Sequence, residues 1–412
     1  MSTFDVIAIL ITLTALFSYF NHRYIRLPTT IGVMLIALAV SLFMIGLDAL
    51  GLTVIRDAAT RIVGAVDFDD TLMQGMLSFL LFAGAMHINL TELKENKWPI
   101  AVLSVGGVVL STFLFGTMIY YLLHSLGLGM GYAWCLLFGS LISPTDPIAV
   151  LGILKSANVR KNLEVTIAGE SLFNDGVGVV AFIMLGEVAL SGEHISASHV
   201  GMLFLQEAVG GAVFGLVIGW VAFYLLKSVD NYQVEILLTL ALVTGGYALA
   251  AALHLSGPIA IVVAGVLIGN HGRRYAMSEK TRHNLDTFWE LIDEILNALL
   301  FLFIGLEVLL LVFTGKLLLA GLIAVPVLLL ARWASVGLPV ALLRSRTNLG
   351  KGAVAIMTWG GLRGGISVAL ALSLPPGRER ELILAVTYVL VVFSILIQGP
   401  TMNRVIRRVT AD

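Results

Sequence analysis

Two prolines inside a long apolar run constrain this fold more than any other feature of the sequence. Pro144 and Pro147 flank Thr145 and Asp146, with apolar residues on both sides. Proline lacks a backbone donor and clashes with the turn before it, and it disfavours helical backbone at the preceding residue. The run therefore cannot form one continuous helix, and the sequence predicts a helix that is broken at Thr145 and Asp146.

A second apolar run carries polar residues on one side of a predicted helix. These residues are Glu170, Ser171, Asn174 and Asp175. At about 100° per residue, Glu170, Asn174 and Asp175 share one side. Ser171 lies one helical turn before Asp175. An acid at bilayer depth costs about 2.5–3.5 kcal/mol on insertion scales, so such acids usually mark an ion or proton path. A broken helix beside buried carboxylates is typical of a cation site in a transporter.

The composition is that of an all-α polytopic membrane protein. Of the 412 residues, 58% are hydrophobic and 12% are charged, whereas soluble domains carry about 25% charged residues. One span needs about 20 apolar residues. We count thirteen candidate spans, at residues 5–20, 29–47, 69–88, 98–123, 131–154, 162–190, 200–226, 234–254, 257–270, 288–313, 316–343, 352–374 and 382–404. The net charge of −1 gives no indication of a nucleic-acid partner, and the single Cys135 excludes an intrachain disulfide framework.

The distribution of basic residues predicts the orientation in the membrane. Alternate connections hold 18 of the 25 lysines and arginines, and the opposite connections hold 5. Because lysine and arginine accumulate in cytoplasmic loops, the first set is expected in the cytoplasm. The N-terminus is then outside and the C-terminus cytoplasmic, which requires an odd number of spans. We expect a multi-pass protein of the plasma or inner membrane.

The two halves of the chain show a weak internal repeat. Residues 79–88 resemble residues 299–308, and aligning Gly84 with Gly305 gives an offset of 221 residues. The break near Thr145 and the glycine-rich segment 360–365 are separated by a similar distance. An offset of seven spans inverts the second copy in the membrane. Interrupted helices at matching positions of two inverted halves indicate a transporter site.

Arg363 lies among four glycines of the twelfth predicted span. An unpaired guanidinium at that depth is costly, so Arg363 needs an acidic partner. We predict that this partner is Glu170, which leaves Asp146 and Asp175 to bind an ion. Alternatively, Arg363 pairs with Asp175 and holds the site closed when no ion is bound.

Structural interpretations compete with the functional one for several of these residues. The prolines can simply kink a helix, with Asp146 facing a donor of a neighbouring helix. Asn174 and Ser171 can join helices through hydrogen bonds. Glu307 and Arg332 can pair with each other. Asp293 is close enough to the end of its span to be solvated.

Three motifs together resemble the cation:proton antiporter superfamily. They are Thr145-Asp146-Pro147, Glu170-Ser171-Leu172-Phe173-Asn174-Asp175-Gly176 and Gly361-Leu362-Arg363-Gly364-Gly365. The sequence is most similar to the sodium/proton antiporters of the NhaP branch, which are relatives of the eukaryotic NHE exchangers. The resemblance covers nearly the whole chain in the number and order of its spans.

The resemblance implies one membrane domain over residues 1–412, with thirteen transmembrane helices, inverted repeats and two unwound crossing helices. Residues of about 1–90 and 200–313 would form the dimer interface of a homodimer, and residues of about 98–190 and 316–408 the ion-translocating core. Na⁺ would bind Asp146, Asp175, Ser171 and Thr145, with Asn174 beside them. Glu170 and Arg363 would form the core ion pair. Many relatives carry an acid in the third span, where this chain has Ala83 and Gly84.

We therefore predict a secondary antiporter that exchanges Na⁺, and also Li⁺, for H⁺ by alternating access. The resemblance implies electroneutral exchange, because Asn174 rather than a second acid precedes Asp175. K⁺/H⁺ exchange is the alternative within transport, and a cation channel is the alternative from another class. We find no Gly-x-Ser-x-Gly or His-Glu-x-x-His motif of a hydrolase, and we expect neither enzymatic activity nor a cofactor.

Overall fold

The computed structural model describes residues 3–50, 60, 75–146, 154, 159–191, 201–202, 205–311, 314–343, 349–350 and 352–410. Helices make up most of these residues. In chain order they are α1 (Thr3–Phe20), α2 (Thr29–Ala49), α3 (Leu77–Met86), α4 (Leu90–Glu95), α5 (Lys97–Ser125), α6 (Tyr132–Ile142), α7 (Lys161–Ser191), α8 (Leu205–Lys227), α9 (Tyr232–Ala252), α10 (Gly257–Leu267), α11 (Glu279–Glu307), α12 (Gly315–Leu342), α13 (Ala353–Trp359), α14 (Gly365–Leu372) and α15 (Arg378–Val409).

Eight of the described helices are long and apolar enough to cross a membrane, namely α1, α2, α5, α7, α8, α9, α12 and α15. The first of them continues past Phe20 through a π-helical turn to Ile25. Helix α11 is long, but its first half is rich in charged residues. The chain is thus a multi-pass membrane protein, and the count of thirteen spans stays a prediction.

The outer surface of the helices is strongly apolar. Large hydrophobic side chains are exposed on several of them, among them Phe4, Phe43, Leu237, Trp333 and Leu342. Soluble monomers rarely expose contiguous apolar surface on this scale, whereas a lipid-facing surface requires it. The interior holds the buried polar residues described below, so the polarity is arranged as in a membrane protein.

The helices pack mainly within two groups. In one group α5 packs against α6 and α12, α6 against α7, and α12 against α13 and α15. In the other, α2 packs against α11, α3 against α10, and α8 against α9 and α10. Helix α7 also contacts α10, which joins the groups. The division into a dimer interface and an ion-translocating core stays a prediction.

Small residues permit the closest of these contacts. Gly215 of α8 lies so near the backbone of Ala260 in α10 that a side chain at position 215 would overlap the Ala260 carbonyl. Close backbone approach at small residues is how membrane helices gain packing energy where lipid offers no hydrophobic driving force. The abundant glycines therefore serve helix packing as well as the interruptions described next.

Helix α6 ends at Ile142, and residues 143–146 are not helical. Pro147, the second proline of the predicted break, lies outside the described residues. A second interruption lies between α13, which ends at Trp359, and α14, which begins at Gly365. The two interruptions meet, because the Asp146 N–H donates to the carbonyl of Leu362 over 2.9 Å. This antiparallel bridge is the only isolated β-bridge among the described residues.

Candidate cation site

Arg363 is fully buried and binds backbone carbonyls. Its Nη1 donates to the carbonyl of Ser143 over 2.5 Å and to that of Pro144 over 2.8 Å. Both carbonyls follow the C-terminus of α6, where carbonyl groups lack helical partners and carry partial negative charge. Arg363 lies in the interruption between α13 and α14, and its guanidinium thus provides a hydrogen-bond donor to the carbonyls at the end of α6.

Glu170 pairs with Arg332, which corrects the predicted pair of Glu170 with Arg363. Arg332 of α12 donates from Nη1 to Glu170 Oε1 over 2.6 Å and from Nη2 to Oε2 over 3.0 Å. The side chains are 5% and 1% exposed. A planar guanidinium matches a carboxylate in this two-bond geometry, while Nη1 of Arg363 binds two carbonyls. The suggested pairing of Glu307 with Arg332 is wrong as well, because both terminal nitrogens of Arg332 bind Glu170.

Thr145, Ser171 and Asn174 form one buried hydrogen-bond network between the first interruption and α7. The hydroxyls of Thr145 and Ser171 lie 3.1 Å apart. Asn174 donates from Nδ2 to Thr145 Oγ1 over 2.9 Å and to Glu170 Oε1 over 3.5 Å. Its Oδ1 accepts from the Thr145 N–H over 3.3 Å. The side chain of Asn174 therefore holds the unwound backbone in place and links it to the ion pair of Glu170.

Asp146 and Asp175 lie on the two segments that this network joins. Asp146 is half-buried and directly follows Thr145, while Asp175 is 9% exposed and lies one turn after Ser171 on α7. The charge of Asp146 acts on the Asp175 carboxylate. A Cβ on Gly364 would lie 2.5 Å from Asp146 Oδ2, so the carboxylate occupies space that only glycine leaves open.

The arrangement offers oxygen ligands to a hard cation. The carboxylates of Asp146 and Asp175 belong to the two segments that the hydroxyls of Thr145 and Ser171 join. Hard cations prefer oxygen ligands, and the helix ends at an interruption at membrane depth add their dipoles. The structure thus brings the sequence-predicted candidates together on facing segments. Their role as ligands stays a prediction.

Helix α11 brings a further acidic residue, Asp293, near the site, and this residue was not among the predicted ones. Asp293 was expected to be solvated, but it is half-buried and accepts a hydrogen bond from Asn297 Nδ2 over 3.1 Å. Its charge acts on Asp146. Leu300, on the same face of α11, lies against Gly365. The spacing of 293, 297 and 300 places these three residues on one helix face, and this spacing was the signal available in the sequence.

The third predicted span faces α7 with apolar surface. A Cβ on Gly84 of α3 would lie 3.8 Å from a methyl carbon of Leu172, which is the neighbour of Ser171. Ala83 and Phe82 are fully buried in apolar surroundings. At this contact α3 therefore contributes packing rather than a carboxylate.

Comparison with known proteins agrees with this architecture. Residues 9–408 match the family described as "Sodium/hydrogen exchanger, transmembrane". The chain is 51% identical over 411 residues to the Na⁺/H⁺ antiporter NhaP of Pseudomonas aeruginosa, which covers 99% of this chain and 97% of that protein. It is 35% identical over 379 residues to the Na⁺/H⁺ antiporter NhaH of Halobacillus aidingensis, which covers 90% of this chain and 91% of that protein.

The fold is also similar to a solved structure. The sodium proton antiporter MjNhaP1 of Methanocaldococcus jannaschii at pH 8 superposes with a TM-score of 0.74 and 18% identity, covering 100% of both chains. At that identity the likeness is evidence for the fold alone. The family match over nearly the whole chain and the two relatives at 51% and 35% identity are evidence for membership of the family. The chain belongs to the sodium/hydrogen exchanger family of transmembrane proteins.

Proposed function

We propose that this chain exchanges Na⁺ for H⁺ across a membrane and that Asp146 and Asp175 bind both ions in turn. The observation that carries the proposal is the hydrogen bond between Thr145 and Ser171, which joins the two segments that carry these carboxylates. Membership of the exchanger family supports the reaction. The relatives described above are named for the same exchange.

The mechanism follows from competition for one buried site. Low polarity around the carboxylates makes an empty, doubly charged site costly, so the site binds either a cation or a proton. Thr145 and Ser171 supply neutral oxygens that replace water around Na⁺. The conformations that open to each side then interconvert when the site is filled, and this condition couples the two fluxes.

The balance of charges supports one-for-one exchange. Glu170 and Arg332 cancel each other's charge within their ion pair. Of the remaining charges, Asp146 and Asp175 carry two negative ones, and Arg363, which binds the carbonyls before Thr145, carries one positive one. One negative charge therefore remains for one Na⁺, one Li⁺ or one proton. Exchange of one cation for one proton leaves this balance unchanged and moves no net charge across the membrane.

The proposal extends to the setting of the protein. We place it in the plasma or inner membrane with its N-terminus outside and its C-terminus in the cytoplasm, according to the distribution of basic residues. The thirteen-span topology, the inverted repeat and a homodimer formed through residues 1–90 and 200–313 belong to the same proposal. The transported ions are its substrates, and no cofactor is required.

The test is proton movement in everted vesicles from cells that lack their own antiporters. A pH-sensitive acridine dye would report the collapse of a proton gradient as NaCl, LiCl or KCl is added. We expect a response to Na⁺ and Li⁺ that is lost in Asp175→Asn and retained in Asp230→Asn, which removes an exposed loop carboxylate. Insertion of each variant is checked by its abundance in the membrane.

The other outcomes identify the alternatives. A response to KCl alone would indicate K⁺/H⁺ exchange by the same fold. Cation flux without proton movement would indicate a channel. No cation response between pH 5.5 and 9, with the protein inserted, would refute the antiporter proposal. Uptake driven by an imposed membrane potential without a pH gradient would refute electroneutral exchange.

A further inference from the structure

A cavity of about 550 Å³ lies away from the cation site, between the end of α3 and the connection from α10 to α11. Most of its polar lining is basic. The residues that carry its chemistry are His87, Asn270, Arg273, Arg274, Arg282 and Asp286. None of them takes part in the proposed ion exchange, and the ion pair among them neutralises only part of their positive charge.

The walls of this cavity are fixed by hydrogen bonds. Asn270 donates from Nδ2 to the carbonyl of Ile88 over 2.9 Å. Its Oδ1 accepts from the N–H of Leu90 over 2.7 Å. These two bonds join the turn after α3 to the segment after α10. The walls of the cavity are therefore held in place by the protein itself.

Positive charge exceeds negative charge along the lining. Arg273 forms an ion pair with Asp286. Arg274 lies over the ring of Tyr275, with 5.2 Å between the guanidinium carbon and the ring centroid. Arg282 forms no ion pair with another described residue. Three guanidinium groups therefore face one carboxylate, and two positive charges are left over.

Two buried guanidinium nitrogens are donors that a bound anion could use. The Nε atoms of Arg273 and Arg282 are buried, and neither has a hydrogen-bond partner within the described part of the chain. Burying a donor without an acceptor costs free energy, and a hydrogen bond to a bound anion would offset this cost. Arginine is suited to phosphate because its planar donors match phosphate oxygens two at a time.

Aromatic residues place the cavity at the membrane interface. The ring of His271, adjoining the cavity, lies 6.0 Å from that of Trp220 and 6.1 Å from that of Tyr275. Trp220, Tyr224 and Tyr275 are all exposed on the protein surface. Exposed tryptophan and tyrosine concentrate where lipid headgroups meet water. The ligand is therefore expected at headgroup depth.

We propose that this cavity binds the phosphate group of an anionic phospholipid, with Arg282 as its principal ligand and Arg274 at the entrance. The volume lies within the range of about 300–1,000 Å³ that is typical of small-molecule sites. Phosphate chemistry is shared by lipids and free phosphate, and the interfacial position favours the lipid. This inference does not depend on the cation site.

The experiment uses the whole protein, delipidated in a neutral detergent. Thermal unfolding is followed as phosphatidylglycerol, phosphatidylcholine or inorganic phosphate is titrated in. We expect phosphatidylglycerol to raise the melting temperature saturably and phosphatidylcholine to leave it unchanged. Arg282→Gln should raise the half-saturating lipid concentration about tenfold, because a charge-assisted hydrogen bond is lost. Arg408→Gln, which removes an exposed arginine of α15, should leave it unchanged.

Each remaining outcome decides the question. Equal weakening by Arg282→Gln and Arg408→Gln would show attraction to surface charge and overturn the site. An equal rise with inorganic phosphate would overturn the lipid as its source. If Arg282→Gln does not fold, Arg274→Gln tests the same cavity at an exposed position, where no effect on the lipid titration would overturn the proposal.

Discussion

The ion pair between Glu170 and Arg332 should dominate the stability of the site, and it yields a measurable distinction between two arginines. Arg332→Met removes both charge-assisted hydrogen bonds and keeps the apolar stem. Among the described residues it leaves Glu170, which is 1% exposed, with Asn174 Nδ2 at 3.5 Å as its hydrogen-bond donor. Breaking a buried pair by removing one member costs about 3–5 kcal/mol. Two charge-assisted bonds of about 1.5–3 kcal/mol each give a similar range.

A double-mutant cycle separates the pair from general damage. Glu170→Gln combined with Arg332→Met should cost less than the sum of the single changes, by about 2–3 kcal/mol, because the second change removes a charge already left alone. Glu170→Gln combined with Arg363→Met should show coupling of at most about 1 kcal/mol, because those charges share no hydrogen bond and act at longer range.

The assay is denaturant titration of the purified protein in detergent micelles, with the free energy of unfolding extrapolated to zero denaturant. The unfolding must first be shown to be reversible for each variant. Stronger coupling of Glu170 to Arg363 than to Arg332 would refute the assignment and restore the pair expected from the sequence. Strict additivity in both cycles would show that neither arginine is specifically paired with Glu170.

Three further predictions concern transport. Gly364→Ala should slow exchange at least about tenfold, because its Cβ would lie 2.5 Å from Asp146 Oδ2 and overpacking there costs about 1–3 kcal/mol; Gly46→Ala, which meets nothing within 4 Å, should be silent in the same vesicle assay. Thr145→Val should raise the half-saturating Na⁺ concentration about tenfold, since a hydroxyl ligand is lost, and an unchanged value would exclude Thr145 as a ligand. Asp293→Asn should raise that concentration about threefold at low ionic strength and less in high salt, as expected for a screened charge; insensitivity to salt would contradict an electrostatic role.

The two interruptions of the helices could be predicted because their causes are local. Pro144 acts on its own turn, and the glycines around Arg363 weaken a continuous helix because glycine is a poor helix former. Helix periodicity placed the polar residues of α7 on one side, and the resemblance to antiporters assigned Thr145 and Ser171 to one site. Local rules therefore sufficed to name the interrupted and polar segments, and the resemblance was needed to bring them together.

The ion pairs could not be predicted in the same way. Glu170 and Arg332 are 162 residues apart, and Arg363 is an equally basic candidate at a similar predicted depth. Which arginine pairs with Glu170 depends on which one donates to the unwound carbonyls of Ser143 and Pro144. This in turn depends on how α6 packs against α14. Asp293 was misjudged because α11 begins well before residue 288, so that the residue lies within the helix instead of near its end.

The bond between the Asp146 amide and the Leu362 carbonyl links the two interruptions through backbone atoms alone. An amide held in this way exchanges its hydrogen with deuterated solvent only when the bond opens. If the two segments travel together during transport, the Asp146 amide stays protected whichever side the site faces. Deuterium uptake at this one position, measured with and without Na⁺, would thus report whether the interrupted helices form a single moving body.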